Sequence, residues 1–287
     1  MTPWCRCVPG IRCTGDLSDP DASIGALTHS PLHESIAHWL HRLPAGRFPS
    51  VEDLDALAAE VPALPPGFGF DVAHHALTAA AYERGIAISG RVPTRHGDWH
   101  DLFNALVWLS FPRLKLALNR IHVRALADDR AGAVQAAGRG ALRDLATLID
   151  ESGLVLACDD PTLVQALATR AWRELFVDRR TAVCRSMHFL TCGHAVLDRG
   201  RRPWKGLTAR VLVLPVEQTF VDLDRTARLA FVDEAAARWI EGEAAARLGT
   251  RGLLHLPVLG IPGWWGANAN PTFYDDPQVF RGTLPGR

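Results

Sequence analysis

The chain of 287 residues is 48% hydrophobic and 22% charged, the balance of an ordinary globular protein. Its 31 basic side chains equal its 31 acidic ones, so there is no electrostatic footprint for nucleic acid. No apolar run reaches the roughly 18 residues of a membrane span, and no signal-peptide core opens the chain; the expectation is a cytoplasmic protein with a small molecule as partner.

Residues 1–30 scatter Pro, Gly, Asp and Ser and read as a loosely ordered extension. Cys5, Cys7 and Cys13 lie there, at a spacing that matches no zinc signature. Residues 31–287 read as one α/β domain: a helical part (31–130), a sheet-containing part (131–260) and an aromatic C-terminal strap (261–287). Helical patterns cover His33–His41 and Val51–Ala59, a Pro/Gly connector spans Pro62–Gly69, and Asp71–Glu83 reads as a helix. His74 and His75 are adjacent, about 100° apart on a helix, which is poor chelating geometry. Gly85–Gly97 reads as a turn-rich link.

The next stretch, Trp99–Asn119, is the most informative. With Asp98 as N-cap, Asn104 falls about 40° from His100 on the helical wheel, Trp108 about 80° and Asp101 about 100°. Leu102, Phe103, Leu106, Val107 and Leu109 fill the opposite arc. Pro112 ends this helix, and a second follows in which Lys115, Asn119 and His122 share a stripe. Short reactive side chains thus stand where a solvated face carries Lys and Glu. They form either a structural polar network or a site.

Beyond residue 130 the pattern changes. Leu142–Ile149 and Leu154–Cys158 read as a hairpin around a turn at Asp150-Glu151-Ser152-Gly153. Asp160 then caps a helix with Pro161 in its first turn, running to about Phe176. Ala182–Leu190 and Thr208–Leu214 read as strands, Gly193–Asp198 as a helix start and Asp222–Arg247 as one long helix. The class is α+β: a helical N-terminal half packed with a mixed sheet of about four strands in the order β-β-α-β-α-β-α.

Several constellations bear on chemistry. His194 follows Cys192-Gly193 at a strand end, where α/β proteins place ligands. Asp150 and Glu151 could serve as metal ligands or as an acid and base if their turn folds toward the helical face. His96 and His100 are four apart, with Asp101 alongside, although Gly97 and the cap at Asp98 put His96 outside the helix. Trp264 and Trp265 sit in a Gly/Pro/Asn loop, as a packing strap or a pocket wall. No nucleophile elbow, phosphate loop or dinucleotide fingerprint occurs, and Cys158, Cys184 and Cys192 read as buried thiols.

Tyr82-Glu83, Val92-Pro93-Thr94-Arg95, Trp99 through Trp108, Phe111-Pro112-Arg113 with Lys115, Asp150 through Gly153, Trp172 through Phe176, Gly193-His194-Ala195 and Gly263-Trp264-Trp265 together resemble a bacterial family of unknown function, number 3025 among domains of that kind. The resemblance covers about residues 40 to 285 and implies one unit without assigning any role. The chemistry itself points to a hydrolase acting on a small anionic substrate. It is either metal-assisted, with a divalent ion on His100, Asp101 and His96, or an acid–base enzyme using His100, Asp101 and His194. Asn104, Trp108, Arg113, Lys115, Asn119, Trp264 and Trp265 are the candidate substrate contacts. The alternative is a non-catalytic binding or scaffold protein using the aromatic tail and the His/Asn face.

Overall fold

The computed structural model describes residues 24–75, 77–130 and 139–282. Residues 1–23, with the three N-terminal cysteines, lie outside them. A short helix, Ile24–Leu27, is followed by a 3-10 segment, Pro31–Ile36, and a helical turn, Ala37–Leu40, in place of one helix over His33–His41. The Val51–Ala58 helix begins at a reciprocal cap: the Ser50 hydroxyl accepts from the Asp53 N–H, and the Asp53 carboxylate accepts from the Ser50 N–H.

The expected helix over Asp71–Glu83 and the link after it are instead a small β-α-β unit. Strand β1 (Gly69–Val72) pairs in parallel with β2 (Arg91–Thr94), and the Ala79–Ser89 helix connects them. The strands are only four residues long, too short to show a period of two. Gly90, at φ 66°, makes the left-handed turn that ends the helix and feeds β2.

The Trp99–Ser110 helix starts where expected, with the Asp98 carboxylate accepting from the Asp101 N–H at 3.1 Å. Pro112–Arg130 forms the second helix. Its opening N–H groups are satisfied from far along the chain: Asp233, buried in the Arg225–Glu241 helix, accepts from Arg113 N at 3.0 Å and Leu114 N at 2.8 Å.

The mixed sheet has four strands in the order β4-β3-β5-β6: β3 (Gly153–Cys158), β4 (Met187–Thr191), β5 (Thr208–Pro215) and β6 (Leu254–Pro257). The central β3 and β5 run parallel, and each edge strand is antiparallel to its neighbour. The sheet lies between two apolar clusters. Val155, Ala157, Leu212 and Leu214 face one, with the Trp99–Ser110 and Pro112–Arg130 helices, while Leu154, Leu156, Ala209 and Val211 face the other, with the C-terminal aromatics. A strand buried on both faces reads as a continuous apolar run, and Leu154–Cys158 is one.

The α+β class and the four-strand sheet stand, but the hairpin does not. Residues Arg139–Ser152 are a helix. Leu142, Leu145, Ala146 and Ile149 recur at three- and four-residue steps, so they line one helical stripe, of which Leu145, Ala146 and Ile149 are buried. The antiparallel partner of β3 is β4, a strand shorter than expected because Arg180–Ser186 is helical. The helix after Asp160 ends at Ala168, with a turn of π-helix at Glu174–Asp178. The long helix expected over Asp222–Arg247 breaks at Gly242 into Arg225–Glu241 and Glu243–Leu248. The fourth strand, β6, lies in a stretch without a strand expectation.

Candidate functional site

Two chain reversals meet beside the sheet. One is the end of the Arg139–Ser152 helix, where Asp150, Glu151 and Ser152 lead directly into Gly153 of β3. The other is the end of β4, where Cys192 and Gly193 lead into the His194–Arg199 helix. Both Cys192 N and Gly193 N donate to the Gly153 carbonyl, at 3.0 and 2.8 Å. A Cβ on Gly193 would stand 2.3 Å from Gly153 N and 2.7 Å from the Glu151 carbonyl. Glycine is required there because backbone lies directly against backbone. That contact sets His194 beside Asp150 and Glu151. The Trp99–Ser110 helix packs on the His194–Arg199 helix and delivers His100 to the same place.

The two imidazoles meet nitrogen to nitrogen. His194 Nε2 is 3.0 Å from His100 Nε2, with ring planes 73° apart. Glu151 Oε1 lies 3.7 Å from His194 Nε2. One ligand atom each from His100, Glu151 and His194 falls within 4.8 Å of the others. His194 is buried and His100 half-buried, while the Glu151 side chain is 43% exposed, so the cluster opens to solvent on the Glu151 side. Burial pulls His194 down to about 4, with Asp150 opposing and Lys115 and His100 adding to the fall. The ring is therefore neutral at neutral pH, the form in which imidazole binds metals. Burial, then the neighbouring Asp150 charge, raises the Glu151 carboxyl.

Behind this cluster runs a buried polar chain. Asp150 Oδ2 is 3.8 Å from His194 Nδ1. Lys115 is 4% exposed, and its ammonium donates to the other Asp150 oxygen and, at 2.8 Å, to Asn104 Oδ1. Asn104 Nδ2 donates in turn to the Tyr82 hydroxyl at 2.7 Å. The Lys115 ammonium also lies 5.2 Å from the Trp108 ring centre. Burial pushes the Asp150 carboxyl up, but the Lys115 ammonium and the His194 ring more than offset this and hold it below the usual carboxylate range. Burial, then the Asp150 charge, pushes the Tyr82 phenol well above its ordinary value. Next to this chain, Asn119 Nδ2 donates to the Glu83 carboxylate at 2.6 Å and to its backbone carbonyl at 2.9 Å. Burial raises Glu83 to about 7.

Of the residues singled out by sequence, His100, His194, Asn104 and Lys115 converge. His122, half-buried, feels the Asp150 and Lys115 charges. Asp101 is turned away: it accepts from Arg95 N and Nε at 2.8 Å and from Arg95 Nη2 at 2.7 Å, closing the 95–98 loop onto the helix start. His96 is exposed against Phe48, with ring centres 6.0 Å apart. Arg113 points its guanidinium at Asp233, 3.8 Å away. Trp108 is buried beside Phe68, and Trp264 packs on Phe189 in the cluster on the other face of the sheet, where Trp265 also lies. The hydrogen bonds of Asn104, Lys115 and Asn119 are spent within the protein. Glu151 and Asp150 enter the cluster because their segment is a helix end and not a solvated turn. Tyr82 carries no periodic signal of its own.

Two hollows, of about 310 and 390 Å3, lie elsewhere on the surface. One is bounded by Phe48, Leu54, Val72 and His96, and the other by Pro161, Gln165 and Arg179. Glu52, Arg95 and His96 border the first and Glu174 and Arg179 the second, whereas the cluster of possible metal ligands among the described residues is at the His100–His194 contact. No described helix is long and apolar enough to cross a membrane.

No curated protein and no solved structure matches the chain. A family model does: the one described as "Protein of unknown function (DUF3025)" aligns with residues 70–284 and so takes in all the clustered residues. Because that match covers well over half of the 287 residues, the chain belongs to this family.

Proposed function

We propose that His100, His194 and Glu151 form a divalent-metal centre and that the protein is a metal-assisted hydrolase. The observation that carries this reading is the 3.0 Å approach of two imidazole Nε2 atoms with a carboxylate oxygen beside them. Two imidazole nitrogens about 2.1 Å from one ion at a tetrahedral angle stand roughly 3.4 Å apart, so a small outward shift admits the ion. Two His and one Glu with a side open to water is a donor set of catalytic zinc, in which a fourth position holds the water to be activated. The ion would lower the pKa of that water and polarise the bond to be cleaved. Glu151, whose side chain is 43% exposed, faces the solvent from which substrate arrives.

Relative to the sequence expectation, Glu151 replaces Asp101 and His96 as the carboxylate and third ligand. Asn104, Lys115 and Asn119 support the centre from behind and do not hold substrate. The exposed Arg199, whose charge acts on Glu151, is a cation available to an anionic substrate at the mouth.

The test is metal content followed by turnover. Protein purified without chelator carries close to one equivalent of a first-row divalent ion, and His194→Ala carries none while keeping its melting temperature within a few degrees. The loaded protein then hydrolyses one class in a panel of phosphoesters, carboxylic esters and amides, and chelation abolishes that turnover. Wild-type protein that takes up no zinc, cobalt or manganese at micromolar concentration overturns the metal centre. Stoichiometric metal without turnover across the panel selects the binding-protein alternative.

A further inference from the structure

The Lys115–Asp150 pair takes two charges largely out of water at one point, with side chains 5% and 20% exposed, and that costs free energy. Neither reaches substrate, and neither is a ligand: Asp150 approaches His194 at Nδ1, on the opposite side of the ring from His100 and Glu151. Its position is that of the carboxylate behind a metal-bound imidazole, which holds the ring and fixes its tautomer.

The hydrogen-bond geometry constrains the protons. Between the two Nε2 atoms 3.0 Å apart, one must donate and the other accept. His194 Nδ1 is buried and turned to Asp150, whose carboxylate lies 3.8 Å away and whose main chain also favours a proton on the ring. A lone pair there would confront a negative charge, whereas an N–H is attracted by it; the Glu151 carboxylate stands 3.7 Å from Nε2 but is 43% exposed against 20% for Asp150, so solvent screens its competing pull. The proton of His194 therefore belongs on Nδ1, which leaves its Nε2 as acceptor and makes His100 Nε2 the donor. Lys115 keeps Asp150 ionised for this purpose, and Asn104, held by Tyr82, keeps Lys115 in place.

We propose that the buried Lys115–Asp150 pair is a positioning device that presets His194 as the Nδ1–H tautomer, with Nε2 unprotonated and aimed at the ion before any ion arrives. Its functional meaning rests on the metal-centre reading above. An arriving ion then changes the proton position on His100 alone: Nε2 gives its proton to solvent and the ring takes one up from solvent at Nδ1. Lys115 and Asp150 are positioning residues here.

The experiment is two-bond 1H–15N correlation of the histidine rings in the full labelled chain, metal-free and after adding Zn2+ alone. Metal-free protein is expected to show His194 protonated on Nδ1 and His100 protonated on Nε2. Zn2+ is expected to move only the His100 proton. Asp150→Asn is expected to leave His194 as a tautomer mixture and to weaken Zn2+ binding 10- to 100-fold. A wild-type His194 protonated on Nε2 overturns the proposal without any variant, as does an Asp150→Asn protein with unchanged tautomer and zinc affinity. The metal-free spectrum separates this proposal from the one before it: His194 as Nδ1–H in a protein that takes up no Zn2+ upholds the preset tautomer and removes the metal centre. Zn2+ uptake by a protein whose His194 starts as Nε2–H does the reverse.

Discussion

The polar face around His194 and the aromatic strap against the far side of the sheet both stand out in the sequence, yet their chemistry differs. In the strap, hydrogen-bonding groups are paired within the protein. The Tyr274 hydroxyl donates to the Gly260 carbonyl at 2.8 Å, and Asn268 Nδ2 donates to the carbonyls of Leu259 and Ile261 at 2.8 and 2.7 Å. Its rings fill one another's edges, Phe280 meeting Tyr274 at 5.1 Å and Phe273 at 5.5 Å. Around His194, two ring nitrogens share one contact, and a buried Nδ1 faces a carboxylate 3.8 Å away. Unusual residues mark both regions. Between the two, only the region around His194 brings ring nitrogens and carboxylates face to face, and that juxtaposition is the better guide to a site.

The largest effect that sharpens this contrast is on metal. His100→Ala lowers zinc affinity by more than about 100-fold in a calorimetric titration, with the fold intact by circular dichroism. Equal affinity in the variant would erase the distinction between the two regions. Next comes the buried ion pair. Lys115→Met alone leaves Asp150 as an uncompensated buried charge and costs about 3–5 kcal/mol in denaturant unfolding, whereas Lys115→Met combined with Asp150→Leu recovers most of it. A double variant as unstable as the single would show that the pair contributes through packing.

In the strap, Phe280→Ala removes a buried ring and costs about 3 kcal/mol, with zinc affinity unchanged. Altered metal binding there would mean that the regions are coupled. The smallest effect concerns pH. Glu83 has its folded-state value raised to about 7, chiefly by burial, above the ordinary glutamate value that it takes when unfolded. The stability it contributes is thus present below the unfolded value and is lost as pH rises through 7. Wild-type protein is expected to lose about 2 kcal/mol between pH 5 and 8 relative to Glu83→Gln, measured as unfolding midpoints across that window. Parallel curves for the two proteins would remove Glu83 from the buried network.

Much of the helical half is legible because its signals are local. Asp98 as cap, the apolar arc of Leu102, Leu106 and Leu109, and Pro112 as a break are each read from a few neighbouring residues. His100 and His194 are legible as candidates for the same reason, through helix phase and a strand-end glycine. Their pairing depends on Gly193 abutting Gly153, a contact between segments 40 residues apart that no periodicity announces. The Asp150–Glu151 misreading came from the β-branched and leucine-rich content of 142–149. The stripe of Leu145, Ala146 and Ile149 fits a helix equally well, and only packing decides. The Trp264–Trp265 loop misleads in the other direction, since a ring buried in a packing cluster and a ring on a ligand have the same composition.

Asp233 has a consequence for the order in which the molecule is made. It receives the first N–H groups of the helix bearing Lys115 across a separation of about 120 residues. During synthesis the Pro112–Arg130 segment leaves the ribosome well before its acceptor exists. The end of that helix that Asp233 covers stays hydrated until Arg225–Glu241 docks. Satisfying the first N–H groups of that helix is therefore an event of the finished chain, which a nascent polypeptide halted short of Asp233 does not reach.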